Sequence, residues 1–150
     1  MEWMESISRA IRYIEDHITE DISINSIAEQ VNISPFYFQK SFAMFCGYTV
    51  MEYIRKRRLA LAGSELVSSD VKVIDIALKY GYDSPDSFTK AFTRFHGVTP
   101  SFVRKEDAML KSFAPLKIKI ALEGGYLMDY KINQKDSFTV IGVSKTFKYE

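Results

Sequence analysis

The sequence predicts a mainly α fold: a seven-helix bundle in which a short-helix, turn, helix unit occurs on each side of a long helix, followed by a short β-strand segment. Three observations carry this. Apolar residues recur at three-and-four spacing from Trp3 to about residue 107. The stretch SPFYFQKSFAMFCG at 34–47 is repeated as SPDSFTKAFTRFHG at 84–97, with seven of fourteen positions identical. From Leu116 onward the apolar period falls to two.

Each element follows from local chemistry. Trp3, Met4, Ile7, Ile11, Ile14 and Ile18 make one face of a first helix, and Glu5, Arg12, Glu15 and Asp16 make the other. Ser23 can cap a short second helix with Ile24, Ile27, Ala28 and Val31 on one side, and Asn32 breaks it. Ser34-Pro35 supplies an N-cap and a proline at the first helical position, and the third helix stops at Gly47. Thr49 caps a longer helix to about Val67, in which Gly63 is a weak point of roughly 1 kcal/mol relative to alanine.

The unit then recurs. Val73, Ile76, Ala77 and Tyr80 match Ile24, Ile27, Ala28 and Val31, and Gly81 stands where Asn32 stood. Asp83 is one inserted residue, after which Ser84 to Gly97 follow the first copy in register. Thr99-Pro100 opens a last helix ending near Asp107. Beyond Pro115, Leu116, Ile118, Ile120 and Leu122 alternate with Lys117, Lys119, Ala121 and Glu123 as in a half-buried strand. Gly124-Gly125 suits a tight hairpin, with Met128, Tyr130 and Ile132 on its far side and a third strand in SFTVIGVSKTF. The expected division is therefore 1–107 helical and 108–150 a linker with strands. Three strands with one apolar face rarely stand alone, so the second part is expected to be the truncated start of a domain, or to be completed by the first domain or a partner.

Composition narrows the function classes. With 47% apolar and 26% charged residues the chain is globular rather than disordered. No apolar run is long enough to span a membrane and the start lacks the features of a signal peptide, so a cytoplasmic location and no membrane partner are expected. Cys46 is the only cysteine and His17 and His96 the only histidines, so neither a disulfide nor a metal site nor another cofactor is implied. Net charge is +1, divided as 13 Lys/Arg against 15 Asp/Glu in 1–107 and 7 against 4 in the remainder. Any polyanion-binding role must therefore rest on where the positive charges sit.

The repeat indicates such a placement. At about 100° per residue, Phe38, Phe42 and Phe45 fall within about 60° of one another and form an expected buried stripe. Phe36, Gln39, Lys40 and Ala43 face away from it, as do Asp86, Thr89, Lys90 and Thr93 from Phe88, Phe92 and Phe95 in the second copy. A helix with a polar, outward N-terminal half, set after a short helix and a tight turn, is the geometry that enters a DNA major groove. The residue types suit base edges: Gln39 for adenine, Lys40 and Lys90 for guanine, Asp86 for cytosine and Phe36 for a thymine methyl. A joining helix of about 18 residues spans about 27 Å, which with helix widths can hold two reading helices about one DNA turn apart. Within it Arg55, Lys56, Arg57 and Arg58 form the densest positive cluster, read either as a solvated face or as phosphate contacts, with Arg94 and Arg104 serving the second groove.

These residues carry a family resemblance. IAEQVNISPFYFQKSFAMFCGYTVMEYIRKRRLALA, followed by VIDIALKYGYDSPDSFTKAFTRFHGVTPSFVRK, resembles the AraC/XylS family of bacterial transcription regulators, in its MarA/Rob-like subgroup, over about residues 5–106. The resemblance implies two helix-turn-helix units acting as one asymmetric reader of double-stranded promoter DNA, in most cases an activator that contacts RNA polymerase. It assigns base reading to Phe36, Gln39 and Lys40, and to Pro85, Asp86, Ser87, Thr89 and Lys90. Pro85 and Asp86 depart from the glutamines of that subgroup, so its target sequence does not carry over. From Met128 onward, MDYKINQKDSFTVIGVSKTF resembles the opening of the GyrI-like effector-binding domain, which implies a small apolar or cationic effector for a longer parent protein. The C-terminal strands could also pair two copies as a homodimer.

Two other classes compete. A small-molecule-binding or sequestering module would use the C-terminal strands, with Tyr126 and Tyr130 lining a pocket. An enzyme would need a nucleophile, and Cys46 could be imagined as an alkyl acceptor. No His, Asp or Lys is spaced to activate it, so a packed cysteine is expected and no catalytic residue is assigned.

Overall fold

A computed structural model of the chain describes residues 2–118 and Gly124. Among these residues there are seven helices and no strand: α1 (Glu2–Asp16), α2 (Ile24–Gln30), α3 (Pro35–Cys46), α4 (Val50–Ser68), α5 (Val73–Lys79), α6 (Pro85–His96) and α7 (Pro100–Lys105). The expected hairpin and third strand lie outside the described residues, and residues 116–118, at the start of the first expected strand, have no regular structure.

The boundaries follow the caps. Ser23 and Ser26 form a capping box at α2, and Thr49 and Glu52 another at α4. The two copies of the repeat start alike: the Ser34 hydroxyl accepts from the Tyr37 amide ahead of Pro35, and the Ser84 hydroxyl accepts from the Ser87 amide ahead of Pro85. They also stop alike, at left-handed Gly47 and Gly97. The inter-helix turns match as well, with Asn32 at φ 55° and Gly81 at φ 82°, residue types that tolerate the left-handed region.

α4 divides the core in two. Val50, Tyr53 and Ile54 pack with α1, α2 and the Phe38–Phe42 pair, whose rings lie 5.8 Å apart. Leu59, Ala62 and Leu66 pack with α5, α7 and the Phe88–Phe92 pair, at 5.4 Å. The third phenylalanine of each copy behaves differently. Phe95 is partly buried against His96, but Phe45 is 62% exposed and meets the Trp3 ring at 4.1 Å. The buried stripe expected through Phe45 thus ends at Phe42 in the first copy, and in the last turn of α3 it is Cys46 that packs against the first core.

Residues 108–115, expected as linker, and 116–118, expected as strand, run along the helices as part of the same compact unit. Leu110 joins the second core, while Phe113 and Leu116 join the first. Backbone bonds fix the path: the Lys111 amide donates to His96 Nδ1 at 3.2 Å, and the Leu116 amide donates to the Tyr53 hydroxyl at 3.3 Å.

Candidate nucleic-acid interface

The first turns of α3 and α6 project the residues singled out from the repeat. Phe36 is 76% exposed, and Gln39 and Lys40 are exposed beside it on α3. On α6, Pro85, Asp86, Ser87 and Lys90 are exposed and Thr89 is half-buried. An exposed phenylalanine at the start of a helix whose next phenylalanine is fully buried has no packing role of its own in the described residues. It offers a flat apolar surface beside an amide and an ammonium.

The two faces differ in electrostatics. Lys40 has no ion-pair partner among the described residues, so its ammonium is available to an acceptor from outside. Lys90 Nζ lies 2.8 Å from Asp86 Oδ2, one helical turn back, and this hydrogen bond holds the ammonium above its ordinary pKa. Both groups are well exposed, so the pair is a weak solvent-screened clamp that a better acceptor can open. The Ser87 hydroxyl is engaged at the cap, donating to the Ser84 carbonyl at 2.9 Å.

The basic cluster does not act as one surface. Arg55 is exposed, with no acceptor among the described residues. Lys56 is half-buried, its Nζ 4.2 Å from the Tyr48 ring centroid and 5.6 Å from that of Phe113. Arg57 is 7% exposed. Its Nε and Nη2 donate to Glu15 Oε1 and Oε2, both at 2.8 Å, and its Nη1 donates to the Phe113 carbonyl. Glu15 also accepts from the Tyr53 hydroxyl at 2.6 Å, so burial and that bond push the Tyr53 pKa up.

Arg58 donates from Nε to the Ile18 carbonyl at 2.7 Å and from Nη2 to the Glu20 carbonyl at 2.6 Å. Arg104 donates to the carbonyls of Ser69 and Val71, which end α4 and lead into α5. Arg94 is exposed. Of the six cations read as a solvated face or as phosphate contacts, Arg57, Arg58 and Arg104 have internal acceptors. Arg57 is buried on Glu15 and the Phe113 carbonyl, while Arg58 and Arg104 each give two donors to internal carbonyls and keep others. Helical spacing could not reveal this, since the acceptors on Glu15, Phe113, Ser69 and Val71 are remote in sequence.

One exposed group on the same faces is absent from the residues read out of the sequence. Tyr37 is exposed on the first turn of α3 and is the counterpart of Ser87 in the repeat. The repeat itself was the signal that could have found it. The Cys46 thiol is half-buried, and burial raises its pKa, the opposite of what a nucleophile needs.

Among the described residues no helix is long and apolar enough to cross a membrane. Residues 27–106 match a family model described as a helix-turn-helix domain. The chain is 36% identical over 115 residues to the HTH-type transcriptional activator AarP of Providencia stuartii, covering 77% of this chain and 85% of that one. It is 36% identical over 104 residues to the regulatory protein SoxS of Salmonella typhimurium, covering 69% and 97%. In structure it resembles the C-terminal domain of AraT, a response regulator from Geobacillus stearothermophilus, with a TM-score of 0.63 and 29% identity over 73% of this chain and 90% of that one.

Proposed function

From the premise that this chain belongs to the AraC-type helix-turn-helix family and is a sequence-specific DNA-binding transcription regulator, we propose that it reads two successive major grooves and activates transcription. α3 enters one groove with Phe36, Gln39 and Lys40 toward base edges. α6 enters the next with Pro85, Asp86, Ser87, Thr89 and Lys90. Arg55 and Arg94 take phosphates beside them, with Lys56 at the margin. The observation that carries this reading is the pairing of two equally capped helices on one rigid α4, each with a buried phenylalanine pair beneath an exposed first turn.

Activation rests on the relative named as a transcriptional activator, and RNA polymerase is then the protein partner. The chain works in the cytoplasm and carries out no catalysis; the raised Cys46 pKa favours the latter. Residues 108–150, through the resemblance that starts at Met128, supply effector-binding structure and can pair with a second copy. A non-palindromic site is expected, because the two reading faces differ at Phe36/Asp86, Tyr37/Ser87 and Gln39/Thr89.

Footprinting at two salt concentrations tests the bipartite model. Two protected segments about one helical turn apart, weakening as salt rises, are expected. A single protected segment would sink it.

A further inference from the structure

Both helices proposed to read DNA end beside one strap of chain, residues 110–116. α3 stops at Cys46, and Tyr48, one residue past the Gly47 cap, meets the Phe113 ring edge-on with centroids 5.6 Å apart. α6 stops at His96, whose Nδ1 accepts from the Lys111 amide at 3.2 Å. Only Ser112 stands between these two anchors. The strap is also fastened along α4: Leu110 lies against the bare backbone of Gly63, the Phe113 carbonyl accepts from Arg57, and the Leu116 amide donates to the Tyr53 hydroxyl at 3.3 Å.

Among the described residues, only α4 and the segment that contains this strap supply side chains to both cores. A rigid helix fixes distance along its axis, but a unit packed on it by its own separate core can still rock or shear around that axis. A second tie, anchored at the ends of both reading helices, closes a ring of contacts from α3 through the strap to α6 and back along α4. That ring removes the rocking freedom. Pro115 adds stiffness, since its fixed φ limits slack between Phe113 and Leu116.

We infer that the strap is a brace that sets the relative rotation of α3 and α6, and with it the half-site spacing the protein accepts. Leu110, Phe113 and Leu116 are its positioning residues, acting on DNA through the helices they hold. The inference rests on the two-groove reading above and adds what keeps its halves in phase. Phase matters because one base pair of DNA shifts a half-site by about 3.4 Å and turns it by about 35°.

The test uses the full chain, the duplex it selects, and the same duplex with one base pair added or removed between the half-sites. Wild type is expected to lose more than about 10-fold in affinity on either change, as for the loss of a mismatched base pair or more. Two glycines inserted after Ser112 keep every anchoring side chain but slacken the tie between them. In that variant, with a thermal melt confirming the fold, the spacing penalty should fall below about 3-fold. Retention of the wild-type penalty would overturn the brace and leave two-groove binding intact. If the insertion does not fold, Phe113→Ala, which removes the Tyr48 contact, decides in the same way. Indifference of the wild type to spacing would overturn both the brace and the two-groove reading.

Discussion

A Cβ placed on Gly63 would lie 2.8 Å from both Cε1 and Nε2 of His96 and 3.2 Å from Leu110 Cδ1, so the absence of a side chain in mid-α4 makes room for an imidazole from the end of α6. His96 is 4% exposed, and its Nε2–H donates to the Leu59 carbonyl at 2.9 Å. Its Nδ1 accepts from the Lys111 amide, which fixes the neutral tautomer. Glycine, histidine and strap therefore form one joint between α4, α6 and residues 110–111.

Helix propensity alone gives Gly63→Ala a gain of about 1 kcal/mol. The His96 contact reverses the sign, since overpacking of this kind costs about 1–3 kcal/mol and also endangers the Leu59 bond. Gly63→Ala is expected to melt at a lower temperature than wild type. A higher melting temperature would show that the ring can shift without cost.

The same joint sets a pH dependence. Burial first, with the Lys111 charge adding to it, lowers the His96 pKa below its ordinary 6.5, against the raising effect of the Leu59 bond. The unfolded chain therefore takes up the proton before the folded one does. Stability from this group is complete above about 6.5 and is lost as pH falls below that value toward the folded pKa. Denaturant midpoints should decline between about pH 7 and 5, and His96→Gln should flatten the part of the decline due to this group.

Arg57 and Arg94 should separate structure from binding. Arg57→Ala leaves the half-buried Glu15 without its bidentate partner and should lower the melting temperature, but should not change the salt slope of DNA binding at temperatures where the variant is folded. Arg94→Ala should leave the melt unchanged and lower the slope by about one. Exchange of these two outcomes would restore Arg57 to the phosphate-contacting set.

Lys40 and Lys90 face different halves of the proposed site. Selection from a random duplex library should show Lys40→Ala relaxing preference at one end and Lys90→Ala at the other, by about 1–3 kcal/mol at the affected base pair. Asp86→Asn releases Lys90 from its 2.8 Å pair and should alter only the Lys90 end. Uniform weakening across all bases would mean that both lysines hold phosphates.

Much of the fold was legible from the chain. Caps at Ser34, Thr49, Ser84 and Thr99 and left-handed stops at Gly47 and Gly97 depend on neighbours within a few residues, so a linear sequence contains them. The exposure of the first turns of α3 and α6 was legible for the same reason, because the repeat separates what both copies need from what differs between them. Phe45 was misplaced because helical phase says which way a side chain points, not whether another element is there to cover it.

The sequence by itself determined the helices, their duplication and the outward placement of Phe36, Gln39, Lys40 and their counterparts on α6, all consequences of short-range periodicity and capping. Only the tertiary structure decided what each arginine does. RKRR is one run of charge on paper, yet Arg57 turns inward to Glu15, Arg58 crosses to Ile18 and Glu20, Lys56 rests on Tyr48, and Arg55 is left facing a groove beside Tyr82. Successive residues on a helix point about 100° apart, so four adjacent cations meet four different environments, and the groups that fill those environments arrive from distant parts of the chain.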